Sequence, residues 1–225
     1  MRAPDFFLCE VKGLIKTIVF IQKQLLNWQK KNFRDFPWRH TKNPYQIMIV
    51  EFMLHRTRAE QVVPVYNYFI RKYPDVQTLA KAKEKEIKKV TEHLGLHWRS
   101  AYFIKAAKYI IEHYRGKFPQ EREALLKIPG IGDYVAGAIL TVCFNRPEYV
   151  IDANIARFIN RYYGLHLKGE IRRKRQIIEK ARELFNYPDT RNLLFALLDF
   201  TALVCKPLNP EHASCILKSS CRYLK

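Results

Sequence analysis

The residues of this chain best suited to chemistry are two carboxylates, a glycine-bearing hairpin and a group of cysteines near the C-terminus. Asp152 stands in Val150-Ile151-Asp152-Ala153-Asn154, after an apolar pair and at the head of a helix running through Phe158 and Ile159. Two jobs suit such an aspartate. It can be an N-cap accepting from first-turn N–H groups, or a negative charge set where a reacting group turns positive. Glu51 lies between Val50 and Phe52 on an apolar helix, where a carboxylate is costly unless it faces a cleft or a partner. In Ile128-Pro129-Gly130-Ile131-Gly132, Pro129 stops one helix, and both glycines permit positive φ and close backbone approach. A helix starting near Asp133 would turn its orphan N–H groups outward, which makes either a phosphate site or a plain tight turn. Cys205, Cys215 and Cys221, three of five cysteines, cluster at the C-terminus; in a reducing compartment that points to a metal more than to disulfides.

The elements that must carry these residues read as helices. Leu14, Ile18, Ile21, Leu25 and Trp28 fall on one helical face. Ile87, Val90 and Leu94 do the same before Gly95, and Ala101, Ile104, Ile111 and Tyr114 mark another helix closed by Gly116. Leu193 to Val204 is apolar on nearly every side, as a buried helix is. Prolines 37, 44, 74, 119, 129, 147, 188 and 207 punctuate the stretches between helices. No period-two alternation, internal repeat or low-complexity run interrupts the pattern, so the expected class is all-α with about ten helices.

Composition bounds the partner. The 225 residues include 40 Lys and Arg against 21 Asp and Glu, a net charge of +19, which calls for a polyanion. Nucleic acid is the default and an anionic membrane surface the alternative. Hydrophobic residues at 48% mean a folded domain. Lys16 and Lys23 break the most apolar N-terminal stretch, and Glu10 and Lys12 break any signal-peptide core, so an intracellular protein of cytoplasm or nucleoid, with no membrane partner, is expected.

Taken together, the hairpin, the twenty-residue step from Gly132 to Asp152 and the motif Phe36-Pro37-Trp38-Arg39 … Asn43-Pro44-Tyr45 … Glu51-Phe52-Met53-Leu54 resemble the helix-hairpin-helix (HhH-GPD) DNA glycosylases, the superfamily of endonuclease III and MutY. The resemblance covers nearly the whole chain. It implies two helical domains with a DNA-binding cleft between them: residues 34–145 with the hairpin, and residues 1–33 with 146–225. It also implies a monomer that acts on double-stranded DNA containing a mismatch, flipping a base and cutting its N-glycosidic bond. Asp152 would be the central carboxylate, with Tyr134 and Glu51 as further catalytic groups. Arg56 and His97 would enter the gap left by the base, and Gly130, Gly132 and Asn154 would contact DNA.

Within the superfamily three stretches point toward the archaeal-type mismatch thymine glycosylases. Tyr134 stands where bifunctional members keep a nucleophilic Lys, which implies a monofunctional enzyme, and where MutY usually has Ser. His55-Arg56-Thr57 is closer to the Arg-Arg-Thr of the thymine enzymes than to Gln-Gln-Thr. Asp35 to Thr41 matches their pattern. The expected substrate is thymine or uracil opposite guanine. An adenine glycosylase acting on A:8-oxoguanine or A:G, or a non-catalytic DNA-binding module, is the alternative. Asp133 departs from the family, which often places a basic residue there. Finally, Cys205, His212, Cys215 and Cys221 reproduce the spacing of the family's iron–sulfur loop with His in second place. That implies a [4Fe–4S] cluster with three Cys and one His, with a Cys3His zinc site or an empty loop as alternatives.

Overall fold

The structure is a computed structural model that describes residues 3–95 and 100–224, with side chains from Lys16 onward. Among the described residues every regular element is helical and none is a strand, so the all-α class is correct. The chain divides into two compact units. One comprises Asp35–Arg146; the other joins Met1–Arg34 to Pro147–Lys225.

The unit built from both ends rests on α1 (Ala3–Asn32), which packs against α11 (Thr190–Leu203). Ile21 and Leu25, on the face read from the sequence, are completely buried, and Trp28 meets Phe200 edge-on at 5.4 Å. As its composition suggested, α11 is buried along most of its length. That burial includes the Asp199 carboxylate, which accepts the Arg34 backbone N–H at 3.2 Å. Arg34 is the last residue of this unit before the chain leaves it, so a buried charge fixes the point of exit. Between them, α9 (Ala153–Tyr162) and α10 (Arg175–Phe185) complete the unit. Gly164 closes α9 at φ +60°, and a Cβ there would sit 3.0 Å from the Cβ of Arg222, so close approach of the C-terminal segment also demands glycine.

The other unit opens on the Phe36-Pro37-Trp38-Arg39 motif, which forms a packed corner. Phe36 stacks on Trp38 at 4.9 Å, Trp38 meets Tyr66 edge-on, and the buried Arg39 guanidinium lies over the Phe36 ring. Asn43 then caps α2 (Pro44–Met53) by accepting from the Tyr45 N–H, with Pro44 at the first helical position. The central pairing is α2 against α8 (Asp133–Phe144). α6 (Ser100–Tyr114) is a helix as expected, and Gly116 follows it at φ +80°. Phe103, Ile104, Ala106, Ala107 and Ile110 are buried, whereas Ala101, Ile111 and Tyr114 are only partly covered. The buried face packs against α4 (Val76–Ala80) and α5 (Glu84–Thr91), while Lys105, Lys108 and Glu112 stay exposed.

Replacing the buried carboxylate should test the exit point. Asp199→Ala strands the Arg34 N–H inside the protein at a cost of about 1–3 kcal/mol. Thermal unfolding should shift down by roughly 5 °C. An unchanged midpoint would mean that solvent or another acceptor serves Arg34 equally well.

Candidate active site

Asp152 is the N-cap of α9, and both of its oxygens are engaged. Oδ1 accepts the Ile155 N–H at 2.7 Å and Oδ2 accepts the Asn154 side-chain amide at 2.9 Å. The capping reading is therefore correct. It does not exclude the chemical one, because an ionised carboxylate offers about four acceptor sites. The cap fixes the rotamer and leaves acceptor capacity on a half-buried group.

The network continues past Asp152. Asn154 Oδ1 accepts from Arg157 Nη1 at 2.8 Å. Arg157 in turn donates to the Cys205 carbonyl from Nε and Nη2, at 3.2 and 2.8 Å, and to the Thr201 carbonyl at 3.1 Å. The carboxylate, the end of α11 and the first cysteine of the C-terminal loop thus share one guanidinium. Burial pulls the Arg157 pKa down, while Cys205 and Asp152 push it back up. Sequence reasoning missed Arg157. The available signal was an arginine set between the apolar Ala156 and Phe158, one turn from Asn154.

The four candidate ligands gather round one pocket. Cys205, His212, Cys215 and Cys221 line it with Phe158, Phe200 and Leu217. Arg161 secures the loop, donating to the Lys206 carbonyl at 2.7 Å and the Pro207 carbonyl at 3.0 Å, with its guanidinium 4.9 Å from the Tyr223 ring centroid. Tyr162 donates to or accepts from Ser220 at 3.0 Å, which ties the far end of the loop to the same helix. Burial pushes the Cys215 and Cys221 thiols up, so a metal that takes them as thiolates must displace protons. Among the described residues no three His, Cys, Asp or Glu side chains are close enough to share one metal ion. Three thiols and an imidazole in one apolar lining are donor types that suit an iron–sulfur cluster or a zinc ion.

The remaining candidates lie in the unit Asp35–Arg146. Glu51 is on α2, with Oε2 buried, and Tyr134 is half-buried in the first turn of α8, the helix packed against α2. Arg56, exposed in the loop after α2, adopts a left-handed backbone at φ +65°, which arginine pays for in strain. His97 lies outside the described residues.

The hairpin glycines turn out to differ. Gly130 is left-handed at φ +87°, and a Cβ would lie 3.0 Å from the Phe52 ring and 3.2 Å from Tyr102 Cβ. Gly132 does not use the positive φ that glycine permits. It is extended at φ −103° as the N-cap of α8, and a Cβ would meet nothing within 4 Å. The fold requires glycine at 130 but not at 132, where the bare backbone is open to an outside group. Asp133, the family departure, is answered by Arg122, which donates to its carbonyl at 3.1 Å and lies 3.8 Å from its carboxylate.

Residues 49–186 match the family model described as HhH-GPD superfamily base excision DNA repair protein. The thymine/uracil-DNA glycosylase of Methanothermobacter thermautotrophicus is 34% identical over 92% of this chain and 94% of its own length. The adenine DNA glycosylase of Buchnera aphidicola subsp. Baizongia pistaciae is 35% identical over 92% of this chain but only 58% of its own length. Among solved structures, a thermostable thymine-DNA glycosylase superposes with a TM-score of 0.88 at 32% identity, covering 93% of this chain and 97% of that one.

The contrast between the glycines sets a stability test. Gly130→Ala should cost about 1–3 kcal/mol through backbone strain and the Phe52 contact. Gly132→Ala should cost no more than about 1 kcal/mol, the difference between glycine and alanine as N-cap. Arg56→Gly should gain about 1 kcal/mol by relieving the left-handed backbone. Denaturant midpoints check all three, and equal losses for the two hairpin variants would refute the distinction.

Proposed function

The chain belongs to the HhH-GPD superfamily of base excision DNA repair proteins and is a DNA glycosylase, and from that premise we propose that it hydrolyses the N-glycosidic bond of thymine or uracil mispaired with guanine, using Asp152 as its central carboxylate. The observation that carries this is the restraint on Asp152. One oxygen is held by the Ile155 N–H and the other by Asn154, and acceptor capacity remains. The substrate follows the names of the thymine/uracil and thymine glycosylases that align over more than nine-tenths of the chain, and of the superposed thymine-DNA glycosylase.

The target bond is hidden in duplex DNA, so the nucleotide must leave the stack. Loss of the base puts positive charge on the sugar. The Asp152 carboxylate stabilises that charge and orients the attacking water. Prior fixing of its rotamer by the helix N-terminus and Asn154 removes reorganisation from the reaction step. Tyr134 packs or hydrogen-bonds at the extruded nucleotide. It offers no amine, so no Schiff base forms and the strand stays intact after base release. Glu51 bonds the base edge or positions water from α2. Arg56 fills the gap in the stack, held outward by its strained backbone, and His97 is the second wedge. First-turn N–H groups of α8, reached past the uncovered Gly132, hold a phosphate.

The reading includes a [4Fe–4S] cluster held by Cys205, His212, Cys215 and Cys221, on the grounds of the donor types and their shared apolar pocket. Such a cluster would supply a cross-link, not redox chemistry, since hydrolysis exchanges no electrons. It would brace the loop bearing Lys206, Lys218 and Arg222. The 35% identity to an adenine glycosylase favours a second reading, removal of adenine opposite guanine or 8-oxoguanine, which Tyr134 opposes.

Duplexes bearing G:T, G:U, A:8-oxoguanine and normal pairs decide the substrate. Release from the first two, with strand scission only after alkali, is expected; release of adenine alone would transfer the assignment to the second reading. Asp152→Asn keeps the cap, so the fold should persist. Base release should drop on the order of a hundredfold or more. Full activity in that variant would sink the catalytic assignment. Tyr134→Lys should become trappable by borohydride, whereas trapping of the unaltered protein would disprove the monofunctional reading. Anaerobic protein should contain iron and show the visible absorption of an iron–sulfur centre. One zinc without iron, or no metal, would remove the cluster.

A further inference from the structure

Of the four donors that line the C-terminal pocket, one differs from the rest in kind and in exposure. Cys205, Cys215 and Cys221 are half-buried, whereas His212 is exposed. Its backbone is anchored nonetheless. The Glu211 N–H donates to the Val204 carbonyl at 2.9 Å, the Glu211 carboxylate pairs with Lys206, and the Cys215 N–H donates to the His212 carbonyl at 3.3 Å. The imidazole is held differently. Among the described residues it makes no hydrogen bond and meets one aromatic ring, that of Tyr223, edge-on at 61° with centroids 6.0 Å apart. A metal-binding histidine is ordinarily oriented by a hydrogen bond from its second ring nitrogen. Here the orienting contact is an aromatic one.

Tyr223 is itself held. It lies in the final single turn, Arg222–Leu224, two residues past Cys221. The Leu224 N–H donates to the Cys221 carbonyl at 3.3 Å, which ties that turn to the last cysteine. The Arg161 guanidinium sits 4.9 Å from the Tyr223 ring centroid. The Lys206 and Pro207 carbonyls fix that guanidinium independently, and its Nη1 also donates to Cys205 Sγ at 3.7 Å. A cation anchored on α9 thus holds an aromatic ring against the imidazole. Both rings line the pocket.

An imidazole binds a metal as a neutral ligand, whereas each cysteine binds as a charged thiolate. The exposed imidazole also competes with water for its place. The histidine corner is therefore the first to let go, and whatever restrains that ring governs how long the site keeps its metal. Restraint in advance reduces the freedom lost when the ring binds. We propose that Tyr223 is a positioning residue for His212, holding the imidazole at the pocket while Arg161 holds the tyrosine ring. This rests on the metal reading of the loop given above. It applies to an iron–sulfur cluster and to a zinc ion alike, and it adds to the site a residue from outside the ligand motif.

The test is the rate at which anaerobically purified protein loses its metal to an excess of chelator, followed by visible absorbance and by iron and zinc analysis. Tyr223 is 52% exposed, so its truncation removes little core. Tyr223→Ala should speed the loss by about three- to tenfold, the worth of one aromatic contact. Tyr223→Phe keeps the ring and should stay within about twofold of the unaltered protein. His212→Cys should slow the loss, and in that background Tyr223→Ala should no longer alter it, because the residue it positions is gone. An unchanged rate in Tyr223→Ala would overturn the proposal. So would an acceleration that persists in the His212→Cys background, which would make Tyr223 a brace for the loop and not for the imidazole. If His212→Cys sheds metal as fast as the unaltered protein, the histidine corner does not govern retention and the proposal falls. Unaltered protein that holds neither iron nor zinc would remove the metal reading itself, a failure distinct from any difference in rate between variants.

Discussion

A guanidinium half removed from water must find an acceptor for nearly every N–H it carries, and Arg157 finds them on three separate elements. Its charge makes the arrangement stringent. Losing one acceptor leaves a desolvated donor, which costs more than an ordinary hydrogen bond contributes. The end of α11, the Cys205 backbone and Asn154 are therefore held together, and through Asn154 so is the Asp152 carboxylate. The candidate chemistry and the candidate metal loop share one electrostatic constraint. A disturbance at Cys205 reaches Asp152 through two hydrogen-bonded residues rather than through a long packed path.

The same economy runs through the other unit. Asp133 looks out of place beside a hairpin proposed to hold a phosphate until Arg122 is seen bonded to its carbonyl and close to its carboxylate. The charge is answered locally, and the hairpin's capacity for an anion lies in its backbone. Gly130 shapes the turn, whereas Gly132 leaves the turn uncovered.

Much of this could be read from the sequence, for identifiable reasons. Ile21 and Leu25 were placed correctly because a helix with one apolar stripe has only one way to bury it. Gly95 and Gly116 were recognised as terminators because left-handed backbone selects glycine so strongly. α6 was recognised from its apolar spacing, but which of its apolar residues are covered most depends on the packing of α4 and α5, which spacing does not specify. Both hairpin glycines permit a positive φ but only Gly130 uses it, since permission is not requirement. Arg157 went unnoticed because two of its partners, the Thr201 and Cys205 carbonyls, lie far along the chain, where no local motif points to them.

One consequence of the discontinuous unit lies in its timing. α1 packs against α11, which begins 158 positions after α1 ends, at Thr190 against Asn32. At roughly 5–20 residues per second of synthesis, the apolar stripe of Ile21 and Leu25 waits about 8–30 s for its partner. Meanwhile residues 35–146 emerge complete and can collapse first. The newborn chain thus trails an uncovered amphipathic helix from an already folded body, open to chaperones or to a neighbour's α1. A truncation anywhere before α11 would leave that helix permanently unpaired, so the last third of the chain decides whether the first thirty residues are structure or liability.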